Sequence, residues 1–200
     1  MKFARQSPRA ALLLFAALPL AALAHTGVDE GIHHGFAAGF LHPLTGADHL
    51  AAMVAVGLWS ALAARRWPDL LAAPAAFALM LLGGALLGMA GVHLPAVEPS
   101  IAVSLLVLGL LVMTQHRLPA PIAGLLVGLF ALFHGHAHGR ELAGDTDAAL
   151  ALGGMLAASL LLHASGIALG AALRRAQAWW PGLAGLSIVA FGAALLGAGA

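Results

Sequence analysis

The sequence predicts an all-α integral membrane protein, a bundle of six transmembrane helices behind a cleaved signal peptide. Composition is the first reason: 62% of the chain is hydrophobic and 8% charged, where soluble domains carry about 25% charged residues. The second is length, since the apolar residues fall into runs of roughly fifteen to twenty-five, near what a hydrocarbon core of about 30 Å demands. The third is the N-terminal pattern of basic, apolar and small residues. The same composition excludes whole classes. With no cysteine there is no disulfide, thiolate metal site or cysteine nucleophile. A formal charge of +1, with arginines single or in pairs, offers no basic face to nucleic acid. The partner of this surface is the lipid bilayer.

Residues 1–24 read as the signal peptide: Lys2, Arg5 and Arg9 form a basic start, residues 10–18 the apolar segment, and Ala22-Leu23-Ala24 a small-x-small site before His25. An uncleaved signal anchor is the competing reading. After cleavage no lysine remains, so a Walker-A loop, and with it a nucleotide-driven pump made from this chain alone, is excluded. Residues 25–42 read as an external tail or short interfacial helix, with His25, Asp29, Glu30, His33 and His34 beside Ile32, Phe36, Phe40 and Leu41.

The transmembrane domain occupies residues 43–200. One helix from residue 27 to residue 64 would be about 55 Å long, too long for one crossing. Pro43 and Gly46 are the place for a break, so the first transmembrane helix is expected to start near Pro43 or Thr45 and to end at Ala64. Five spans follow, near residues 70–90, 98–115, 119–133, 148–173 and 181–199. The pairs Gly84/Gly88, Gly124/Gly128 and Gly166/Gly170 have the small-xxx-small spacing that lets helices approach closely in lipid, and read as packing. Arg65/Arg66, Arg117 and Arg174/Arg175 fall in alternate loops and Arg140 alone in the others, which puts the first set in the cytoplasm. The signal peptide independently places His25 outside, and six spans return the C-terminus to that side.

The chemistry is concentrated in two motifs. His42, Asp48 and His49 surround Pro43 at the mouth of an apolar run that contains no charge until Arg65. Ionisable groups cost about 2.5–3.5 kcal/mol at the centre of a membrane helix, so they persist with a partner or a task. Two imidazoles and a carboxylate suggest a divalent metal ion, and the first helical turn favours an ionised Asp48. In Phe133-His134-Gly-His136-Ala-His138-Gly-Arg-Glu141, a helix would place His134, His138 and Glu141 on one face. His136 would point away and is left out, while Gly135 and Gly139 weaken the helix assignment. The topology sends both motifs, and Glu98 at the head of the third span, to the outer face. His42, Asp48, His49, His134, His138 and Glu98 or Glu141 then form one external site for a borderline cation that prefers nitrogen and oxygen.

Glu98, before Pro99, has a second reading as a helix-starting carboxylate. Inside the fifth span, His163 either bonds a carbonyl of a neighbouring helix or is a second station on a metal path. Met53 reads as packing and His116 as an interface residue. An intramembrane metallohydrolase is disfavoured because no HExxH pattern occurs. A membrane cytochrome with facing histidines is another alternative, and a metal sensor or store without transport is the closer rival.

His42-Pro43-x-x-Gly46-x-Asp48-His49, Glu98-Pro99, Phe133-His134-Gly135-x-Ala137-x-Gly139-x-Glu141 and Leu162-His163-x-x-Gly166 together resemble the HupE/UreJ family, over essentially the whole mature chain. The resemblance implies a non-enzymatic six-helix protein of the bacterial inner membrane that takes up nickel for hydrogenase or urease, with no permanent cofactor. Ni²⁺ would be the cargo, with Co²⁺ or Zn²⁺ left open, and both ends of the mature chain would be periplasmic. His42, Asp48, His49, Glu98, His134 and Glu141 match the family's polar motif positions. By the same comparison His136 and His138 fall at variable positions, so His138 rests on its spacing.

Overall fold

The apolar runs fold as helices because a backbone in hydrocarbon must satisfy its own hydrogen bonds. A computed structural model describes residues 35–198. The expected signal peptide and residues 25–34 of the expected tail lie outside the described residues. Seven helices occur among the described residues, with no strand: α1 (Phe36–Thr45), α2 (Ala47–Ala63), α3 (Trp67–Met89), α4 (Val97–Thr114), α5 (Ala120–Glu141), α6 (Ala148–Leu173) and α7 (Trp180–Ala198). Five of them, α3 to α7, are long and apolar enough to cross a membrane, and the bent pair α1–α2 supplies a sixth if counted as one span.

The break falls at Gly46, within the expected stretch of residues 43–46, and α2 starts at Ala47, two residues past Thr45. Pro43 sits in the last turn of α1, where the His42 carbonyl accepts the Thr45 hydroxyl at 3.0 Å and the Gly46 N–H at 3.0 Å. Gly46 then takes an extended conformation and the chain turns by 82° into α2. Proline therefore marks the end of one helix and not the start of the next, and the bend puts His42 beside the first turn of α2.

Every residue of α2 from 51 to 62 is buried, as befits a helix apolar on all sides. It is the hub of the bundle. The surrounding helices bury one stripe and turn large apolar side chains outward, among them Leu79, Leu125, Leu160 and Leu186. That much exposed hydrocarbon belongs in lipid.

Glycines set the helix spacing. A Cβ at Gly135 would collide with the Leu81 carbonyl and one at Gly139 with the Ala85 carbonyl, so α3 and α5 lie backbone against backbone and run parallel. Gly57 meets His163 in the same manner, and Gly170 meets Leu58 and Ala61, so α2 and α6 are also parallel. This close approach explains a difference from expectation. The fourth span was expected to stop at residue 133, yet α5 continues to Glu141. Gly135 and Gly139, which disfavour helix intrinsically, are needed there because no larger residue fits against α3. The other boundaries agree with the sequence reading to within three residues.

Candidate metal centre

Three helices deliver the polar groups to one end of the bundle. The 82° bend at Gly46 brings His42 from α1 and Asp48 and His49 from α2 together. Because α5 stays helical, His134, His138 and Glu141 line one face of its last two turns. The two groups meet: the His138 ring lies 4.6 Å from that of His42 and 4.3 Å from that of His49, and the His49 and His134 rings are 5.1 Å apart. His42 Nε2 is 3.8 Å from Glu141 Oε2, and His138 Nδ1 is 3.4 Å from the same oxygen. His42, His138 and Glu141 thus each offer a ligand atom, all within 4.8 Å of one another.

The imidazoles are oriented by their second nitrogens. His49 donates its Nδ1–H to Asp48 Oδ1 at 2.9 Å, and His134 donates its Nδ1–H to the Phe130 carbonyl at 2.9 Å. With Nδ1 as the donor, the neutral tautomer of either ring carries its lone pair on Nε2. Those atoms of His49 and His134, and Nε2 of His138, are buried without a hydrogen-bond partner among the described residues. An orphaned polar group costs about 1–3 kcal/mol, a cost that binding a cation removes. Carboxylate to imidazole to metal is a recurrent arrangement that fixes the tautomer and raises ligand basicity. Asp48 is therefore the orienting partner of His49, a role the sequence reading, which treated it as one more ligand, did not separate.

Exposure falls along this array. The Glu141 and His42 side chains are 60% and 42% exposed, while His138 is 2% and His134 0% exposed. The mouth is therefore open to water and the interior buried.

The remaining sequence candidates are placed as follows. His136 donates Nε2–H to the Val92 carbonyl at 2.7 Å, holding the α3–α4 connection, as its opposite face on α5 requires. Glu98 stands exposed in the first turn of α4 and makes no hydrogen bond or ion pair with the cluster among the described residues. His163 is buried in α6 with neither ring nitrogen partnered among the described residues, so the reading in which it bonds a neighbouring carbonyl does not hold. Met53 lies in the core of α2. His116 is exposed, and its backbone carbonyl, not its ring, accepts Trp59 Nε1–H at 2.9 Å. Phe77 was not singled out from the sequence: its ring stands 5.8 Å from that of His134 and 4.9 Å from that of His163. An aromatic in an apolar helix gives no signal of such a position.

Comparison with known proteins agrees with the family resemblance. The family model described as HupE / UreJ protein matches residues 12–195. The chain is also 43% identical over 184 residues to Protein HupE of Rhizobium leguminosarum bv. viciae, spanning 90% of this chain and 94% of that protein. No solved structure matches it. The chain belongs to the HupE/UreJ family.

Proposed function

We propose that the protein is a secondary permease that takes up Ni²⁺ across the bacterial inner membrane, for the maturation of hydrogenase or urease. The observation that carries this reading is the series of imidazoles running inward from the half-exposed His42 and Glu141, through His138, His49 and His134, toward the buried His163, with unpartnered nitrogens along it. A closed structural site would satisfy its ligands at one depth. A graded series of mixed nitrogen and oxygen donors suits an ion that must bind and leave. The ligand set is that of a borderline cation, and Co²⁺ and Zn²⁺ are cargoes of the same chemical class.

In this reading residues 1–24 are removed as a signal peptide, the bent pair α1–α2 forms the first of six crossings, and both ends of the mature chain are periplasmic. The arginine pattern supports the orientation: Arg65/Arg66, Arg117 and Arg174/Arg175 all follow helices that lead away from the metal-binding end. An inside-negative potential of about 100 mV favours entry of a divalent cation by about 4.6 kcal/mol, enough to drive accumulation without nucleotide.

The test is uptake of radiolabelled nickel into proteoliposomes under an imposed inside-negative potential. The wild type accumulates nickel. Asp48→Ala loses uptake, while Asp48→Asn, whose amide oxygen still accepts the His49 N–H, keeps an intermediate rate. Nickel that binds but does not cross would make the protein a membrane metal-binding accessory or sensor; uptake unchanged in Asp48→Ala would remove the assigned role of that carboxylate.

A further inference from the structure

α3 supplies no ligand to the metal-binding cluster, yet it sends one side chain into the line of histidines. Phe77 is 1% exposed, whereas Leu79 and Met80 on the same helix turn outward. Its ring stands against both His134 of α5, at 5.8 Å and tilted 56°, and His163 of α6, at 4.9 Å and tilted 75°. His163 is 2% exposed with both nitrogens unpartnered among the described residues. Its backbone abuts Gly57, eight residues beyond His49 and therefore about 12 Å deeper along α2. An imidazole held dry at that depth, without a hydrogen bond, is costly as packing alone.

We propose that Phe77 is a gate between two metal positions, the outer imidazole cluster and an inner one at His163. The proposal rests on the uptake reading above and adds to it a partition between the two positions. A cation leaving His134 meets a hydrocarbon ring before it reaches the next nitrogen. The contact of Gly135 and Gly139 with α3 keeps the α3 backbone in place, so opening is a swing of the Phe77 side chain. One imidazole binds a divalent ion weakly, which suits a transit position and not a store.

Rapid mixing of the purified full chain with Co²⁺, followed by the visible d–d absorption, tests this whether or not the protein transports. Two phases are expected, a fast one for the outer cluster and a slower one for transfer to His163. Phe77→Ala should speed the slow phase at least tenfold, Phe77→Trp should slow it at least tenfold, and His163→Gln should abolish it, with the fast amplitude unchanged in all three. A single phase in the wild type, a slow phase surviving in His163→Gln, or a slow rate indifferent to residue 77 would overturn the gate. So would loss of the fast phase in Phe77→Ala, which would make Phe77 a structural support. Two gated phases without nickel accumulation in vesicles would instead defeat the uptake reading and leave the gate standing.

Discussion

Replacing His138 with alanine will weaken Ni²⁺ binding more than any other single substitution in the cluster. His138 is where the two halves of the site meet: its ring neighbours those of His42 and His49, its Nδ1 faces Glu141, and its buried Nε2 has no partner among the described residues. Removing an orienting partner such as Asp48 costs metal affinity roughly 10- to 100-fold. Loss of the shared ligand should exceed that, because His42 and Glu141 are then left as two exposed donors without a common third. Isothermal titration of the purified protein with Ni²⁺ measures it. A smaller loss for His138→Ala than for His42→Ala would place the binding ligands elsewhere in the cluster.

The second large effect concerns folding. Gly139→Val should destabilise the protein sharply, since even a Cβ at that position meets the Ala85 carbonyl. Overpacking typically costs about 1–3 kcal/mol where side chains can shift; here the obstacle is backbone, so the loss lies at or above the top of that range. Gly124→Ala is the control, because its Cβ would meet Ala76 Cβ at 3.5 Å, an ordinary contact. Thermal unfolding in detergent should show a large drop in Tm for the first and little change for the second. Equal stability of the two variants would mean that α3 and α5 are not in backbone contact. The same variant tests the site, since the position of His138 and Glu141 depends on α5 lying flush against α3.

These two cases also mark what was legible in the sequence. Helices α3, α4, α6 and α7 were readable because apolar length is dictated by the membrane. Convergence of the two histidine motifs followed from counting crossings. Lateral position did not: Glu98 lies at the expected end of its helix but outside the contacts of the cluster, because topology assigns a depth and not a distance across the bundle. The continuation of α5 past Phe133 was hidden by intrinsic propensity, which scores Gly135 and Gly139 as helix weakeners until the neighbouring helix is in view. Pro43 and Gly46 together located the break but not which of them ends the helix, as a proline in the last turn of α1 allows the break three residues later. The division of labour between Asp48 and His49 depends on which imidazole nitrogen faces the carboxylate, and spacing alone carries no information about that.

A divalent cation held as proposed is bound by imidazole and carboxylate from α1, α2 and α5. X-ray absorption at the nickel edge, on protein loaded with one equivalent of Ni²⁺, tests it most directly. The expected spectrum shows imidazole scattering from at least the two histidines, together with oxygen, of the group His42, His138 and Glu141, and no sulfur. A shell of water oxygens alone, or a sulfur from methionine, would contradict it.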